Sequence, residues 1–237
     1  MTYSILVLDP STGAFGAAVA SRFFAVGALC THAEGGVGAL STQALVNPTY
    51  GPAGMALLRA GAPADVVVAQ LVGPDPGRAQ RQFHIIDAAG RVAQHTGVDC
   101  VTWAGQRHGE AISVAGNMLA GPAVLDAMLQ GYAAAAGPLA GRLIAALQAG
   151  EDAGGDKRGR QSAAVRIHTK DACPDLDIRA DDHPDPLAEL RRLHRVSLER
   201  FAVIRGLMAG RDDPCGVLDR AIIEAAVARD GLPPIQE

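Results

Sequence analysis

Aromatic side chains are scarce in this chain: phenylalanine, tryptophan and tyrosine make up 4% of 237 residues, while hydrophobic residues reach 49% and glycine occurs 28 times. A core built from such residues consists of closely approaching layers of small side chains rather than a few large anchors. Cysteine is equally sparse. Cys30, Cys100, Cys173 and Cys215 are widely spaced and form no CxxC pair, which argues against a zinc ribbon and a disulfide framework. Nor is there an excess of basic charge; a net charge of −4 and a pI near 6.0 leave no electrostatic footprint for nucleic acid or an anionic membrane. No stretch approaches the ~20 apolar residues of a membrane span, and the start lacks a basic segment followed by an apolar one. The expectation is a soluble cytoplasmic protein, with a chain long enough for one large core.

What the chain does have is a strand that begins on a nucleophile, Thr2-Tyr3-Ser4-Ile5-Leu6-Val7-Leu8. An initiator methionine followed by threonine is commonly trimmed, so the mature chain is expected to begin at Thr2. An N-terminal threonine carries a hydroxyl and an α-amine whose reference pKa, roughly 7.7–8.0, lies near cellular pH. The amine can act as general base toward its own hydroxyl. Taken alone, the same dipeptide also begins many ordinary edge strands.

In chain order, Asp9-Pro10-Ser11-Thr12-Gly13 turns the first strand into Phe15–Ser21, and both strands are apolar enough to be covered on two faces. A second strand pair is expected from Gly27 to Glu34 and from Val37 to Gln43. Two short helices follow, the first ending at Gly61 and the second running from Pro63 through Leu71. Strands return at 82–87, 91–96 and 111–117. Two helices then open on Pro122 and Pro138, a Gly-rich charged loop covers 150–160, and strands near 161–168 and 176–181 complete the set. Beyond Pro184, Leu187, Leu190, Leu193, Val196, Leu198, Phe201 and Ile204 predict one long amphipathic helix, with a shorter helix near 217–228. The domain reading is therefore 1–183 for the main fold and 184–237 for a helical C-terminal extension. Strands in blocks separated by helices in blocks favour an α+β fold of stacked sheets over a βαβ wind.

Thr2-Tyr3-Ser4-Ile5, Phe23-Phe24-Ala25-Val26-Gly27, Thr42-Gln43, Asn47-Pro48, His95-Thr96-Gly97, Gly116-Asn117-Met118-Leu119-Ala120-Gly121, the run from Gly155 to Ser162 and Asp181-Asp182-His183-Pro184 closely resemble domain-of-unknown-function family 1028. The resemblance spans roughly residues 2–195. It implies the N-terminal nucleophile (Ntn) hydrolase superfamily, a four-layer αββα sandwich of two mainly antiparallel sheets in which an N-terminal Thr, Ser or Cys attacks. The opening also resembles a proteasome β-subunit. Ala20 in Ala20-Ser21-Arg22 stands where that type carries an acid, so peptide cleavage is not implied.

The resemblance implies roles. Thr2 would attack a carbonyl carbon. Asn117 would donate to the oxyanion, a contribution of about 3–4 kcal/mol per donor, although the same residue equally suits a turn or helix cap. Asp156 would accept from the α-ammonium. Arg160 would clasp a substrate carboxylate, with Gln161 beside it in the same loop; the bland reading is a solvated charged loop. Ser21, Gln43, Asn47, His95 and Thr96 are candidate pocket residues. The expected function is cleavage of an amide, cyclic amide or ureido bond in a compact polar small molecule, with the arginine loop pointing to an acidic one. No metal or organic cofactor is expected, and assembly is expected as a homo-oligomer. The alternative is a catalytically silent αββα protein that binds a small ligand or serves as an oligomeric interaction module.

Overall fold

The computed structural model describes residues 2–234. The elements run β1 (Thr2–Leu8), β2 (Phe15–Ser21), α1 (Val26–Cys30), β3 (Thr31–Glu34), β4 (Gly38–Ala44), α2 (Tyr50–Arg59), α3 (Ala64–Val72), β5 (Arg81–Asp87), β6 (Val92–Thr96), β7 (Gly105–Gly109) and β8 (Ile112–Asn117). They continue with α4 (Ala123–Ala134), α5 (Leu139–Asp152), β9 (Ser162–His168), β10 (Leu176–Ala180), α6 (Pro186–Ser197), α7 (Phe201–Leu207) and α8 (Arg220–Asp230). One antiparallel sheet has the order β10-β9-β2-β1-β8-β7, the other β3-β4-β5-β6. The expected α+β sandwich is present.

The layers follow from strand alternation. On β1, Tyr3, Ile5 and Val7 join Leu125, Met128 and Leu143 in the core beneath α4 and α5. On β4 and β5, Leu40, Phe83 and Ile85 join Met55, Leu58 and Val67 of α2 and α3. The opposite faces of the two sheets meet. At one end of this interface Leu6, Phe15, Ala17, Ala39 and Ile86 make a dry cluster. At the other end the inward positions turn polar: Ser4 then Thr2 on β1, Ser41 then Gln43 on β4, His84 then Gln82 on β5, and Ser113 then Asn117 on β8, all buried.

Three local expectations need correction, and one strand, β7, had not been anticipated. The expected strand from Gly27 to Glu34 is half helix, because the Val26 amide donates to Ser162 Oγ and Gly27 lies against β9 so closely that a β-carbon there would sit 2.1 Å from that of Ala164. Strand β7, Gly-Gln-Arg-His-Gly, carries no apolar alternation because it is a polar edge strand. Helix α5 runs through the first residues of the expected 150–160 loop, to Asp152. The single long helix predicted past residue 184 breaks into α6 and α7, since the turn carbonyl of Leu198 accepts from the backbone N–H of Leu232 instead of continuing a helix. Helix α6 seats Leu187 and Leu190 in the core shared with α4 and α5, whereas α7 and α8 pack on each other.

Gly27→Ala forces a methyl into that contact. The expected outcome is a loss of roughly 1–3 kcal/mol, read in urea unfolding as a lower midpoint with an unchanged slope.

Candidate functional site

Thr2 heads the central region of the larger sheet, with Ser21 of β2 on one side and Asn117 of β8 on the other as its Cα partners. Alternation turns all three side chains toward the other sheet. Thr2 is 6% exposed, and its Oγ1 lies 3.2 Å from Ser21 Oγ. Asn117 Nδ2 donates to Gln82 Oε1 at 3.0 Å across the inter-sheet gap. Met1, whose removal the nucleophile reading requires, lies outside the described residues.

Two cavities open at this level. A small one of about 70 Å³ is lined by Thr2 together with Phe23, Val26, Cys30, Gln43 and Ala44. A larger one of about 390 Å³ is lined by Asn117, Met118 and Arg158 with Phe23, Ala44 and Leu45, and by the 99–101 segment. They share Phe23 and Ala44. Two residues of the larger cavity hold left-handed backbone although neither is glycine: Ala44 at φ 70° and Met118 at φ 54°. Such conformations cost about 1–3 kcal/mol each and persist where surrounding structure imposes them. The wall is mostly apolar, and Arg158 and Asp99 bring opposite charges to it.

The predicted residues separate into groups. Thr2, Ser21, Asn117 and Gln43 converge. Gln43 Nε2 donates to Gln82 Oε1 at 2.7 Å while its Oε1 accepts from Ser4 Oγ at 2.7 Å. Asp156 is buried close by: its Oδ2 accepts from the Arg22 amide at 2.9 Å and its Oδ1 from the Arg158 amide at 2.7 Å, with the Arg158 guanidinium 3.2 Å away. The carboxylate thus ties the 153–161 loop to the residue after Ser21. Thr96 faces the inter-sheet gap, accepting from Gln82 Nε2 at 3.0 Å and donating to Gln106 Oε1 at 2.8 Å, and it lines neither cavity.

The others lie elsewhere. His95 pairs with Phe83 across β5 and β6, on the helix-covered face, and contacts the Arg78 carbonyl through Nε2 at 2.8 Å. Asn47 closes its own turn, accepting from the Thr49 amide and hydroxyl. Arg160 is held between Glu151 and Asp185, each at 3.2 Å, and Gln161 donates to Asp182 Oδ1 at 3.1 Å. The expected clasp for an acidic substrate is therefore already engaged by two carboxylates of the protein, and the cation on the cavity wall is Arg158 instead. Gln82, His84, Ser4 and Arg158 are site residues that the sequence reading passed over. The alternation Gln82-Phe83-His84-Ile85 was the available signal, since it puts two polar side chains on one strand face.

His84 is sealed between Ser4 Oγ, 2.8 Å from Nε2, and Ser113 Oγ, 2.7 Å from Nδ1. Burial pushes its pKa down to about 3, so the ring is neutral at physiological pH. Burial likewise raises the Cys30 thiol to about 12, leaving it a poor nucleophile on the wall of the small cavity. A cleft of about 460 Å³ is remote from Thr2; it lies between residues 169–175 and 202–213, where Lys170 pairs with Asp212 and Arg205 with Asp175. Among the described residues no cluster of three His, Cys, Asp or Glu side chains is placed to hold a metal ion, and no helix is long and apolar enough to cross a membrane.

An αββα sandwich with a buried threonine opening its central strand is the class that these features define. The chain belongs to DUF1028, a family of unknown function whose model matches residues 2–190. The crystal structure of a DUF1028 protein from Silicibacter pomeroyi is similar, with a TM-score of 0.86 and 32% identity over 92% of this chain and 96% of that one. Anbu, the ancestral β-subunit from Yersinia bercovieri, aligns at a TM-score of 0.39 and 15% identity over 89% of this chain and 99% of that one. No curated protein matches the sequence.

Two outcomes follow from the burial of these side chains. The folded pKa of His84 lies below its unfolded value of roughly 6.5, so the unfolded chain binds the extra proton and stability falls as pH drops from about 6.5 toward 3. His32, His168 and His194 shift in the same direction, so the difference between wild type and His84→Gln isolates one residue. Near pH 4.5 the wild type should lose roughly 2–3 kcal/mol, relative to neutral pH, that the variant does not lose, measured by denaturant unfolding. In the folded protein, maleimide should label Cys173 and Cys215, which are exposed, and leave Cys30 and Cys100 unmodified by mass spectrometry.

Proposed function

We propose that the protein is an Ntn-type hydrolase that cleaves an amide, cyclic amide or ureido bond of a small molecule, with Thr2 as nucleophile once Met1 is removed. The observation that carries this reading is the convergence of Thr2, Ser21 and Asn117 at one level of the sheet, with Thr2 on the smaller and Asn117 on the larger of two cavities that share Phe23 and Ala44. In the proposed reaction Thr2 Oγ1 attacks the carbonyl carbon and its proton passes to the Thr2 amine. Asn117 Nδ2 meets the oxyanion. The carbon–nitrogen bond then breaks, the leaving nitrogen takes the proton from the ammonium, and an ester on Thr2 remains. Water then attacks that ester while the amine takes its proton, the acyl carbon–Oγ1 bond breaks, the ammonium returns the proton to Oγ1, and the carboxylic acid leaves.

Ser21 Oγ, 3.2 Å from the Thr2 hydroxyl, holds it in place. Asp156 fixes the chain just past Ser21, and in the proposed reaction it also accepts from the Thr2 ammonium, while Gln43 lines the small cavity. A volume of about 390 Å³ lies within the range of small-molecule sites. Its lining favours a substrate with an apolar portion over the acidic one anticipated from the arginine loop. Arg160, Gln161, Asn47, His95 and Thr96 then act around the site rather than on the reacting atoms. The same reading assigns the enzyme to the cytoplasm, as a homo-oligomer. Support for association comes from exposed apolar side chains at the cavity mouth, Phe23, Leu45 and Val101.

Intact mass of the protein from cells should lack the initiator. Incubation with a panel of activated amides, lactams and ureides should then add an acyl mass that maps to Thr2 and is absent from Thr2→Ala. A retained methionine, or acylation that persists in Thr2→Ala, overturns the hydrolase and leaves the ligand-binding sandwich.

A further inference from the structure

Between the sheets, beyond Asn117, runs a continuous line of buried polar side chains whose hydrogen directions are all determined by its ends. Oxygen and nitrogen of a carboxamide are told apart by their neighbours, and a backbone carbonyl can only accept. Gln82 places one end of its carboxamide 3.0 Å from Gly105 O, 2.9 Å from Gly116 O and 3.0 Å from Thr96 Oγ1, three neighbours that share its two hydrogens, and since the two carbonyls can only accept, that end is the NH₂. Its Oε1 therefore faces Gln43 and Asn117, and both of those amides must donate to it, at 2.7 and 3.0 Å.

The consequence propagates. With its NH₂ committed to Gln82, Gln43 presents Oε1 to Ser4, so the Ser4 hydroxyl donates at 2.7 Å and its lone pair is left for His84 Nε2–H at 2.8 Å. His84 Nδ1 then accepts from Ser113 Oγ at 2.7 Å. The far end gives the same answer independently. Gln94 Nε2 directs its two hydrogens to the Arg107 carbonyl at 2.9 Å and to Ser113 Oγ at 2.8 Å, with the Val114 carbonyl a weaker third neighbour at 3.3 Å, which leaves the Ser113 proton for His84. Every link thus runs one way, from Gln94 to Gln82, and His84 is the neutral Nε2–H tautomer. The line ends at Asn117; Thr2 has its own partner in Ser21.

We infer that Gln82 is a positioning residue: anchored on two backbone carbonyls of the larger sheet, its carboxamide holds the Asn117 amide so that one Nδ2 hydrogen is spent on Gln82 and the other is left for a carbonyl oxygen in the cavity. His84, Ser4 and Gln43 hold Gln82 from behind and carry no proton to the nucleophile. The assignment rests on the hydrolase reading for its catalytic consequence and on geometry alone for the orientation of Asn117. A donor aimed before the substrate arrives needs no reorganisation when charge develops.

The test uses the full chain with Met1 removed, as wild type and as Gln82→Met, a side chain of similar length that cannot accept from Asn117. Side-chain ¹⁵N NMR of the wild type should show His84 protonated at Nε2 and an Asn117 NH₂ pair that exchanges slowly with solvent. In Gln82→Met the Asn117 pair should exchange fast. Thr2 acylation at a saturating activated ester should slow roughly tenfold to a hundredfold, below the range for removing an oxyanion donor outright, with little change in the half-saturating concentration. An Asn117 pair undisturbed by Gln82→Met, or an unchanged acylation rate in an acylating protein, overturns the inference. If wild-type Thr2 is never acylated, the hydrolase reading falls, and the Asn117 signals still decide whether Gln82 positions it. Should Gln82→Met fail to fold, the wild-type His84 spectrum decides: an Nδ1–H tautomer breaks the direction of the line and with it the assignment.

Discussion

A polar group sealed between two β-sheets must be paired within the protein, because an unsatisfied one costs roughly 1–3 kcal/mol. That constraint governs the inner end of this molecule. Amides from both sheets meet there: Gln82 and Gln43 from the smaller, Asn117 and the carbonyls of Gly105 and Gly116 from the larger. Leaving one member unmatched would strand its neighbours, so the network sets how the sheets face each other as well as how each side chain is turned. The dry cluster of Leu6, Phe15 and Ile86 at the opposite end brings the sheets together but has no comparable power to orient them.

Strand β1 connects the two regimes. Its outward residues bury apolar surface under α4 and α5, and its inward residues pass from Leu6 through Ser4 to Thr2. A side chain at the end of a strand hydrogen-bonded on both sides sits on a rigid element, with its neighbours set by sheet register. Thr2 meets Ser21 and Asn117 for that reason. Loops that could drift are tied back to this level by Asp156, whose carboxylate joins the Arg22 and Arg158 amides. The left-handed backbone at Ala44 and Met118 marks where the cavity wall is held against local preference.

Much of the layer order was legible because it rests on periodicity. Continuous apolar runs at Thr2–Leu8 and Phe15–Ser21 became strands buried on both faces, and proline opened the two helices after Gly121. The local pattern was misleading where a distant partner overrode it. Gly27 pressed against Ala164 made a helical turn out of an expected strand, and Leu232 took the Leu198 carbonyl that a continuous helix would have used. The polar edge strand Gly105–Gly109 gave no alternation to detect.

By itself the sequence determined most of the strand and helix segments, which strand faces are apolar, and that a threonine leads the first strand, since each is a property of neighbours a few residues apart. Tertiary structure alone decided the chemistry of the surroundings. It chose Arg158 over Arg160 for the cavity wall, turned His95 away, and brought Gln82 to Asn117. Those outcomes depend on side chains far apart in the chain competing for the same buried partners, and a competition of that kind has no signature in local order.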